Sequence, residues 1–294
     1  MQRATRIPIA GVHSPVYHVS DTSSTLDLAA SLLADTTTAT PHLTTVIADR
    51  QSAGRGRLGR TWTTPDGQAL LASTVVSLPT SFPTEMLGWL VHACALSVRD
   101  ALSPRLSPLG HTVSLKWPND VLVDGARKVC GILAQLAPAS SPFTTSAILG
   151  YGINIAQDRD HLATPQATSL YAEGDAEAGA DPTSVSHTLL AQILTGLDSR
   201  IRGLVAHGNA RDCGLADEAA NALPLLGTRI ALAKPTDPNG HPAMEGVALG
   251  LSPTGSLLVR TDDGRTHDIN AGDVLATGIP LTTVHDTKEK RANN

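Results

Sequence analysis

Residues 48–62 read ADRQSAGRGRLGRTW, a stretch that holds three glycines and four arginines. Glycine lets a backbone approach a ligand closely or adopt positive φ. Arginine carries a planar, permanently charged fork that suits phosphate and carboxylate groups. The whole chain has a net charge of −5, so this basic cluster is a local feature. We therefore predict a flexible loop that binds an anion, and we call residues 52–61 the arginine loop.

Strands are predicted on both sides of the arginine loop. The apolar, β-branched run 43–48 precedes it, and the nearly continuous apolar run 69–77 follows it after a Pro-Asp-Gly turn. Because no helix follows the glycines, they do not form a dinucleotide-binding fingerprint. A solvated connector is the simpler alternative, but the arginines lie beside glycines and follow Gln51 at a strand end, which favours an anion site.

Three amphipathic helices are predicted from apolar residues at helical spacing. The first begins near Ser24 and places Leu28, Leu32 and Leu33 on one face. The second covers 85–102 and has the clearest periodicity, and the third begins near residue 186. The small, acidic segment between 172 and 184 is predicted to be a loop.

The remaining strands form two groups. Residues 113–136 alternate short apolar runs with turn residues, including an Asp-Gly hairpin signal, and a further strand covers 146–155. From residue 227, four short strands and a fifth near Val274 suggest a small β-barrel. We expect residues 1–222 to form a catalytic domain with an N-terminal extension over 1–20, residues 223–280 to form the barrel, and residues 281–294 to be disordered.

Composition excludes several classes of protein. Lys plus Arg number 22 against 27 Asp plus Glu, so no bulk positive charge would concentrate nucleic acid or an anionic membrane. Cys94, Cys130 and Cys213 are widely spaced without a CxxC, which argues against a disulfide framework or a cysteine zinc site. No signal peptide or long apolar run is recognised, so we expect a cytoplasmic protein.

Two further motifs could carry chemistry. In LKWPNDVLV, residues 115–123, Lys116 is flanked by Leu and Trp, so its ammonium needs an anionic partner unless it extends to solvent. Asn119 and Asp120 offer oxygen atoms to a hydroxyl or a hydrated Mg²⁺. In GYGIN, residues 150–154, two alternating glycines indicate that something large lies against the strand, either a ligand or a packed helix.

The ordered set QxxGRGRxGRxW, KWPNDV with KxxGIL, GxGIN, and TSL at 168–170, followed by a small barrel, resembles the biotin protein ligases over residues 20–275. The resemblance implies an α+β fold: a mixed-sheet catalytic domain of the class II synthetase-like biotin/lipoate ligase type and a C-terminal SH3-like barrel. It implies ATP-dependent adenylation of biotin, followed by transfer to a lysine of a biotin carboxyl carrier domain.

The resemblance also assigns roles to residues. It implies that Lys116 and Arg57 are catalytic. Biotin would contact Ser24, Thr25, Gln51, Gly54, Arg55, Gly56, Arg57, Lys116 and Gly131. The nucleotide would contact Arg55, Arg57, Arg60, Trp62, Asn119 and Asn154. ATP would arrive with Mg²⁺, and Asp120 is the candidate carboxylate near that ion. No tightly bound prosthetic group is implied. The expected partner is the carrier domain of an acyl-CoA or pyruvate carboxylase, with no DNA or membrane, and a weak homodimer is possible.

One position departs from the family pattern, since Leu26 stands where asparagine is expected, which removes a polar contact at the biotin mouth. A lipoate or octanoate ligase is the nearest alternative, and a binding module without catalysis is another. A biotin-responsive repressor would need an N-terminal helix-turn-helix, for which about twenty residues before Ser24 are too few.

Overall fold

The computed structural model describes residues 4–35, 37–141, 144–233 and 242–279. Within these ranges, thirteen strands form an eight-stranded sheet in the order β1-β2-β3-β4-β8-β7-β6-β5 and a five-stranded sheet in the order β12-β11-β10-β9-β13. The strands are β1 Thr5–Ile7, β2 Val16–Thr22, β3 Thr45–Gln51, β4 Ala69–Pro79, β5 Val113–Lys116, β6 Asp120–Val123, β7 Arg127–Ser141, β8 Thr144–Asn154, β9 Arg229–Ala233, β10 Pro242–Leu251, β11 Leu257–Arg260, β12 Thr266–Ile269 and β13 Asp273–Ile279.

Five α-helices accompany the sheets in the described residues: α1 Thr25–Ala34, α2 Gly88–Leu106, α3 Ala176–Ala180, α4 Pro182–His207 and α5 Leu215–Asn221. In the large sheet β2 and β3 run parallel and are joined through α1, while the other neighbours are antiparallel. This is the mixed-sheet α+β fold that the sequence predicts. None of the helices in the described ranges is long and apolar enough to cross a bilayer.

Helices cover the large sheet on both faces. On one face Val75 and Ile148 pack with α1, and on the other Val76 and Leu149 join the main core with α2 and α4. Both faces of β4 are therefore buried, which explains its continuous apolar run. The buried side of α1 consists of Thr25, Leu26, Ala29 and Leu33. Of the predicted apolar face, Leu33 is buried in this cluster, and Leu28 and Leu32 are half-buried and pack against it.

The acidic segment 172–184 was wrongly predicted to be a loop. It contains α3 and the start of α4, and its aspartates are helix caps. Asp175 accepts a hydrogen bond from the Ala178 N–H, and Asp181 accepts one from the Ser184 N–H. Pro182 occupies the first turn of α4, where proline is well tolerated. The caps explain why small acidic residues lie at helix starts here.

The N-terminal and C-terminal segments are both integrated into sheets. The described part of segment 1–20, expected as an extension, includes β1 and most of β2, which form one edge of the large sheet. The predicted barrel strands are present as β9 to β13. The predicted disordered tail, 281–294, lies outside the described residues.

The C-terminal sheet packs closely against the start of α2. The Trp89 indole N–H donates to the Pro253 carbonyl at 2.8 Å, and His92 Nε2 lies 2.9 Å from the Gly255 carbonyl oxygen. Gly88 permits this approach, since a Cβ there would lie 2.7 Å from the Thr254 carbonyl oxygen. The start of α2 and the turn 252–256 therefore form a close interface between the domains.

Candidate active site

A cavity of about 750 Å³ lies between α1, the arginine loop, strands β5 to β8 and the barrel. Most of the residues that the sequence nominates line it together: Ser24, Thr25, Gln51, Arg55, Gly56, Arg57, Arg60, Trp62, Lys116, Asn119, Asp120, Gly131 and Asn154. They come from segments far apart in the chain. The structure thus brings the separate motifs to one place.

Two facing glycines form the floor of the cavity beneath Trp62. Gly131 of β7 pairs with Gly152 of β8, so their missing side chains lie side by side. A Cβ at Gly152 would lie 2.5 Å from Trp62 Cε2, and one at Gly131 would lie 3.0 Å from Trp62 Cζ3. The indole N–H is buried and has no hydrogen-bond partner in the described ranges. The floor therefore fits a flat ring, and the Trp62 indole occupies it.

The neighbouring glycine, Gly150, has a different neighbour. A Cβ there would lie 2.8 Å from Cγ of Leu26 on α1. The packed-helix interpretation of the GYGIN motif is thus confirmed at Gly150, whereas Gly152 makes room for the Trp62 ring of the same chain. Contact of a ligand with this strand stays a prediction. Leu26 also lines the cavity, so this wall is apolar where the family pattern expects an amide.

The end of the cavity next to α1 is polar and uncharged. Gln51 Oε1 accepts hydrogen bonds from Thr25 N at 2.7 Å and from Thr25 Oγ1 at 3.0 Å. This leaves the Gln51 amide N–H groups as donors. Ser24 Oγ is buried and lacks a hydrogen-bond partner among the described residues. Unpaired buried polar atoms are costly, so this end suits a neutral ligand with several donors and acceptors.

The arginine loop folds as a small closed hairpin. Trp62 N donates to the Gly54 carbonyl at 2.9 Å, and Gly56 N donates to the Arg60 carbonyl at 2.7 Å. A short 3₁₀ turn forms the tip, where Leu58 has a φ of 59°. Gly54, nominated for biotin, lies at the neck of this hairpin, where a Cβ would lie 2.3 Å from the Trp62 carbonyl oxygen. Because Gly54 has no side chain, the two strands of the hairpin can approach this closely.

Each loop arginine has an acceptor nearby. Arg55 pairs with Asp27 of α1, and Arg60 pairs with Asp273 of β13. Arg57 donates to Asn119 Oδ1 at 3.3 Å, and its side chain is only 18% exposed. Burial lowers the pKa of Arg57, opposed by Asp273 and Asp120, although an arginine stays charged throughout the working range. Mobility of the loop without ligand stays a prediction.

Lys128 is the site residue to which sequence reasoning assigned no role. Its Nζ lies 2.6 Å from Asp120 Oδ1 and 5.5 Å from the centroid of the Trp62 ring. A Cβ at Gly131 would lie 3.0 Å from that ammonium. A register shift in the β6–β7 pairing, where Cys130 faces Val121 and Lys128 faces Leu122, marks a bulge beside this lysine. Lys128 is the first residue of the KxxGIL motif. Its fixed spacing from Gly131 was the sequence signal that could have placed it in the site.

Lys116 lies farther along the same wall. It ends β5 and pairs with Asp120 in the β5–β6 hairpin, and Asp120 in turn pairs with Gly131. Two strand spacings, about 10 Å, therefore separate the Lys116 and Gly131 backbones. In the part of the chain that the structure describes, Lys116 has no carboxylate within ion-pair distance, so it is a cation available to a ligand.

Asn154 has both ends of its amide occupied. Its Nδ2 donates to the Thr168 carbonyl at 2.9 Å, and its Oδ1 accepts from Gln157 at 3.2 Å. It thus holds the predicted TSL segment beside β8. That segment also joins β7, because Lys128 N donates to Gln166 and Thr168 N donates to the Lys128 carbonyl. Asn154 therefore shapes the cavity wall as well as lining it.

An ion-pair network around the buried Glu173 supports the strand that carries Lys128. Arg127 donates to both oxygens of Glu173, at 2.6 Å and 2.9 Å, and also to Asp124 at 2.7 Å. His111 joins the same carboxylates, and the ligand atoms of His111, Asp124 and Glu173 lie within 4.8 Å of one another. This spacing could suit a metal ion, but Arg127 already donates hydrogen bonds to both carboxylates. We interpret the cluster as structural.

The charge of the cavity is positive although the chain is acidic. Five cationic side chains and two carboxylates line it. Lys128 lies beside Trp62, and Arg57 and Arg60 lie near Asp273, whereas Arg55 pairs with Asp27 of α1. The arrangement suits a ligand with a neutral polar head, an apolar body and an anionic tail, together with a second, phosphate-bearing ligand.

Comparison with known proteins identifies the class of protein. Residues 20–154 match the profile of the Biotin/lipoate A/B protein ligase family, and residues 236–275 match that of the Biotin protein ligase C terminal domain. The first match covers strands β3 to β8, and the second covers strands β10 to β12.

Individual relatives narrow the class. The chain is 34% identical to a biotin–[acetyl-CoA-carboxylase] ligase of Mycobacterium tuberculosis, over 78% of this chain and 77% of that protein. It is 31% identical to a protein of the same name from Paracoccus denitrificans, over 75% and 85%. The structure of a biotin protein ligase from Aquifex aeolicus in complex with biotin and ATP superimposes with a TM-score of 0.61 and 26% identity, covering 90% of this chain and 98% of that one. The chain belongs to the biotin protein ligase family.

Proposed function

We propose that this enzyme joins biotin to a lysine of a biotin carboxyl carrier domain at the expense of ATP. The observation that carries the proposal is the cavity itself, in which a neutral polar end at Gln51 and a cationic end at Lys128 are joined by the Trp62 floor. Biotin has a matching shape, with a neutral ureido ring, an apolar chain and a terminal carboxylate. The family membership and the names of the relatives support the same activity.

In the first step a biotin carboxylate oxygen attacks the α-phosphorus of ATP. A new O–P bond forms, the bond to the β-phosphate oxygen breaks, and pyrophosphate leaves with the electron pair. The carboxylate and the triphosphate repel each other, so positive charge must offset both. Lys128 lies nearest the floor and suits the carboxylate, while Lys116 and Arg57 suit the phosphates.

In the second step the lysine amine of the carrier attacks the carbonyl carbon of biotinyl-AMP. A C–N bond forms, the mixed anhydride C–O bond breaks, AMP leaves, and the amine loses a proton to water. Until the amine arrives, the anhydride must be kept from hydrolysis. The arginine loop lies across the cavity and suits this role, since its hairpin can cover the intermediate while its arginines contact the phosphate.

Magnesium would accompany the ATP phosphates. Mg²⁺ is commonly held by one or two carboxylates together with substrate phosphates. Asp120 is a carboxylate in the cavity, beside Lys128, and is the residue that would contact it. When bound, the ion would neutralise charge that develops on the phosphate oxygens.

The decisive experiment incubates the protein with ATP, Mg²⁺, biotin and a purified biotin carboxyl carrier domain, with lipoate replacing biotin in a parallel reaction. We expect the mass of the carrier to increase by one biotinyl group only in the biotin reaction. Labelling with lipoate alone would reassign the enzyme to the lipoate branch. Labelling with neither would contradict the proposal. Carriers from an acyl-CoA carboxylase and a pyruvate carboxylase, compared side by side, would identify the preferred acceptor.

A further inference from the structure

The arginine loop contacts the barrel through one carboxylate. Arg60 Nη2 donates to Asp273 Oδ2, and Arg57 Nη1 lies 4.0 Å from Asp273 Oδ1. Arg57 also donates to the Gly272 carbonyl at 3.4 Å. The Asp273 side chain is half-buried at 26% exposure and lines the cavity, whereas Arg60 is 65% exposed. A residue of the C-terminal domain thus reaches two arginines of the loop.

Asp273 offsets a repulsion that the loop would otherwise carry. Arg57 and Arg60 both lie within ion-pair distance of Asp273, so their like charges are close enough to repel each other. Throughout the described ranges, no second carboxylate lies within 4.0 Å of either guanidinium. Arg55 differs, since its partner is Asp27 of α1. The loop therefore depends on the barrel for the charge balance of its second half.

The barrel presents Asp273 from a fixed position. The interface at Trp89 and His92 holds the turn 252–256 against α2, and β13 lies in the same sheet as that turn's strands. Gly272, the neighbour of Asp273, is buried. A carboxylate on a rigid support can fix the arginines that contact it, because less conformational freedom has to be lost on forming the contact.

We propose that Asp273 is a positioning residue that holds Arg57 and Arg60 over the cavity before the anionic substrate arrives. Substrate phosphates then replace its carboxylate as the partner of the two guanidinium groups. The need for Asp273 is therefore greatest in the free enzyme and disappears when phosphate saturates the site. The identity of that phosphate as part of ATP rests on the proposed function, but the holding of the loop does not.

The first test uses no activity assay. Trypsin cleavage after Arg57 and Arg60 is followed by mass spectrometry in the ligand-free wild type, in Asp273→Asn and in Asp262→Asn, a control that removes a barrel carboxylate paired with Arg229. We expect Asp273→Asn to be cut about two- to fivefold faster after Arg57, the range that a partly exposed ion pair supports, and the control to match the wild type. Cleavage at the wild-type rate in Asp273→Asn would overturn the proposal.

Further variants distinguish loss of the ion pair from a general folding defect. Arg60→Gln breaks the same pair from the exposed loop, so it should accelerate cleavage after Arg57 as Asp273→Asn does. Adding Arg60→Gln to Asp273→Asn should give no further acceleration, because Asp273→Asn already removes the pair that Arg60→Gln breaks. Additive acceleration would show two separate effects and would contradict the proposal. Asp273→Glu should restore the slow cleavage.

The third test measures biotinylation kinetics. We expect Asp273→Asn to raise the KM for ATP about two- to fivefold and to keep kcat within about twofold of the wild type, since the substrate phosphates take over at saturation. A reduced kcat with an unchanged KM would overturn a positioning role. If the wild type labels no carrier while Asp273→Asn still accelerates cleavage, the proposed function fails and the role of Asp273 stands.

Discussion

The Lys128 ammonium lies 2.6 Å from the Asp120 carboxylate, on the wall of the cavity beside the Trp62 ring. The pair joins β7 to β6 across the bulge in their register. Asp120 can orient the ammonium toward the space above Gly131, where a ligand carboxylate would lie. This geometry makes Lys128, in addition to the nominated Lys116, a candidate for stabilising the reacting groups.

Replacing Lys128 should impair adenylate formation more than replacing Lys116. We expect Lys128→Gln to lower kcat/KM for biotin-dependent pyrophosphate exchange by about 10²- to 10³-fold, as for other preorganised donors that meet developing charge. Lys116→Ala should act mainly through ATP, with a raised KM, because its backbone is two strands away from Gly131. Pyrophosphate exchange with each substrate varied in turn measures both effects.

The control for this prediction is Arg50→Gln, which removes a cation next to the arginine loop that pairs with Asp66 outside the cavity. It should leave both KM values unchanged. If Lys116→Ala and Lys128→Gln each lost kcat/KM equally for biotin and for ATP, the two lysines would not have separate roles.

The glycine floor offers a test of the Trp62 platform. Gly152→Ala should displace the indole, because the new Cβ would lie 2.5 Å from Trp62 Cε2. We expect weaker biotin binding and a loss of about 1–3 kcal/mol in the free energy of unfolding, as is typical of overpacking. Isothermal titration with biotin and chemical denaturation measure the two quantities.

Gly250→Ala is the matched control, since a Cβ there would have no atom within 4 Å. Adding Trp62→Phe to Gly152→Ala should recover part of the lost stability, because the smaller ring leaves room for the methyl group. A double variant that is no more stable than Gly152→Ala would show that the clash lies elsewhere.

The arginine loop should determine how long the adenylate stays bound. Arg57→Ala removes a charge-assisted contact worth about 1.5–3 kcal/mol, so the dissociation rate of biotinyl-AMP should rise by roughly 10- to 100-fold. Release of the preformed adenylate into a chase of unlabelled biotin and ATP measures this rate. An unchanged rate in Arg57→Ala would show that the loop closes without this side chain.

Local signals in the sequence predicted the loop and its neighbours. Gln51, Arg57 and Trp62 belong to one contiguous stretch between two strands, so identifying the stretch placed all three in the cavity. Asp181 was misread because a small acidic segment resembles a loop, although the Asp-Pro pair before an apolar periodic run was an available sign of a helix start.

Tertiary relationships could not be predicted in the same way. Arg60 and Asp273 are separated by 213 positions in the chain, and no periodicity links them. Lys128 turns into the cavity at a bulge whose position depends on how β6 and β7 pair. Both contacts depend on strand register and domain docking, which a single sequence leaves undetermined.

The domain interface should be sensitive to mild acid through His92. Burial lowers the pKa of this imidazole from its usual 6.5, partly opposed by the hydrogen bond to Gly255. In the unfolded chain His92 binds a proton below about pH 6.5, whereas in the folded protein it stays neutral to lower pH. Its contribution to stability is therefore present above pH 6.5. It is lost progressively as the pH falls below that value, until the folded pKa is reached.

We test this by comparing the wild type with His92→Gln in chemical denaturation between about pH 7.5 and 5.5, where histidines titrate. The variant should be less stable at the upper pH, because the 2.9 Å contact with the Gly255 carbonyl is disturbed. The difference between the two proteins should shrink as the pH falls, since only the wild type carries the proton-linked cost at this position. His42 and His187, whose pKa values are also lowered by burial, titrate in both proteins and cancel in the comparison. A difference that stays constant over the whole range would show that His92 does not contribute to the pH dependence.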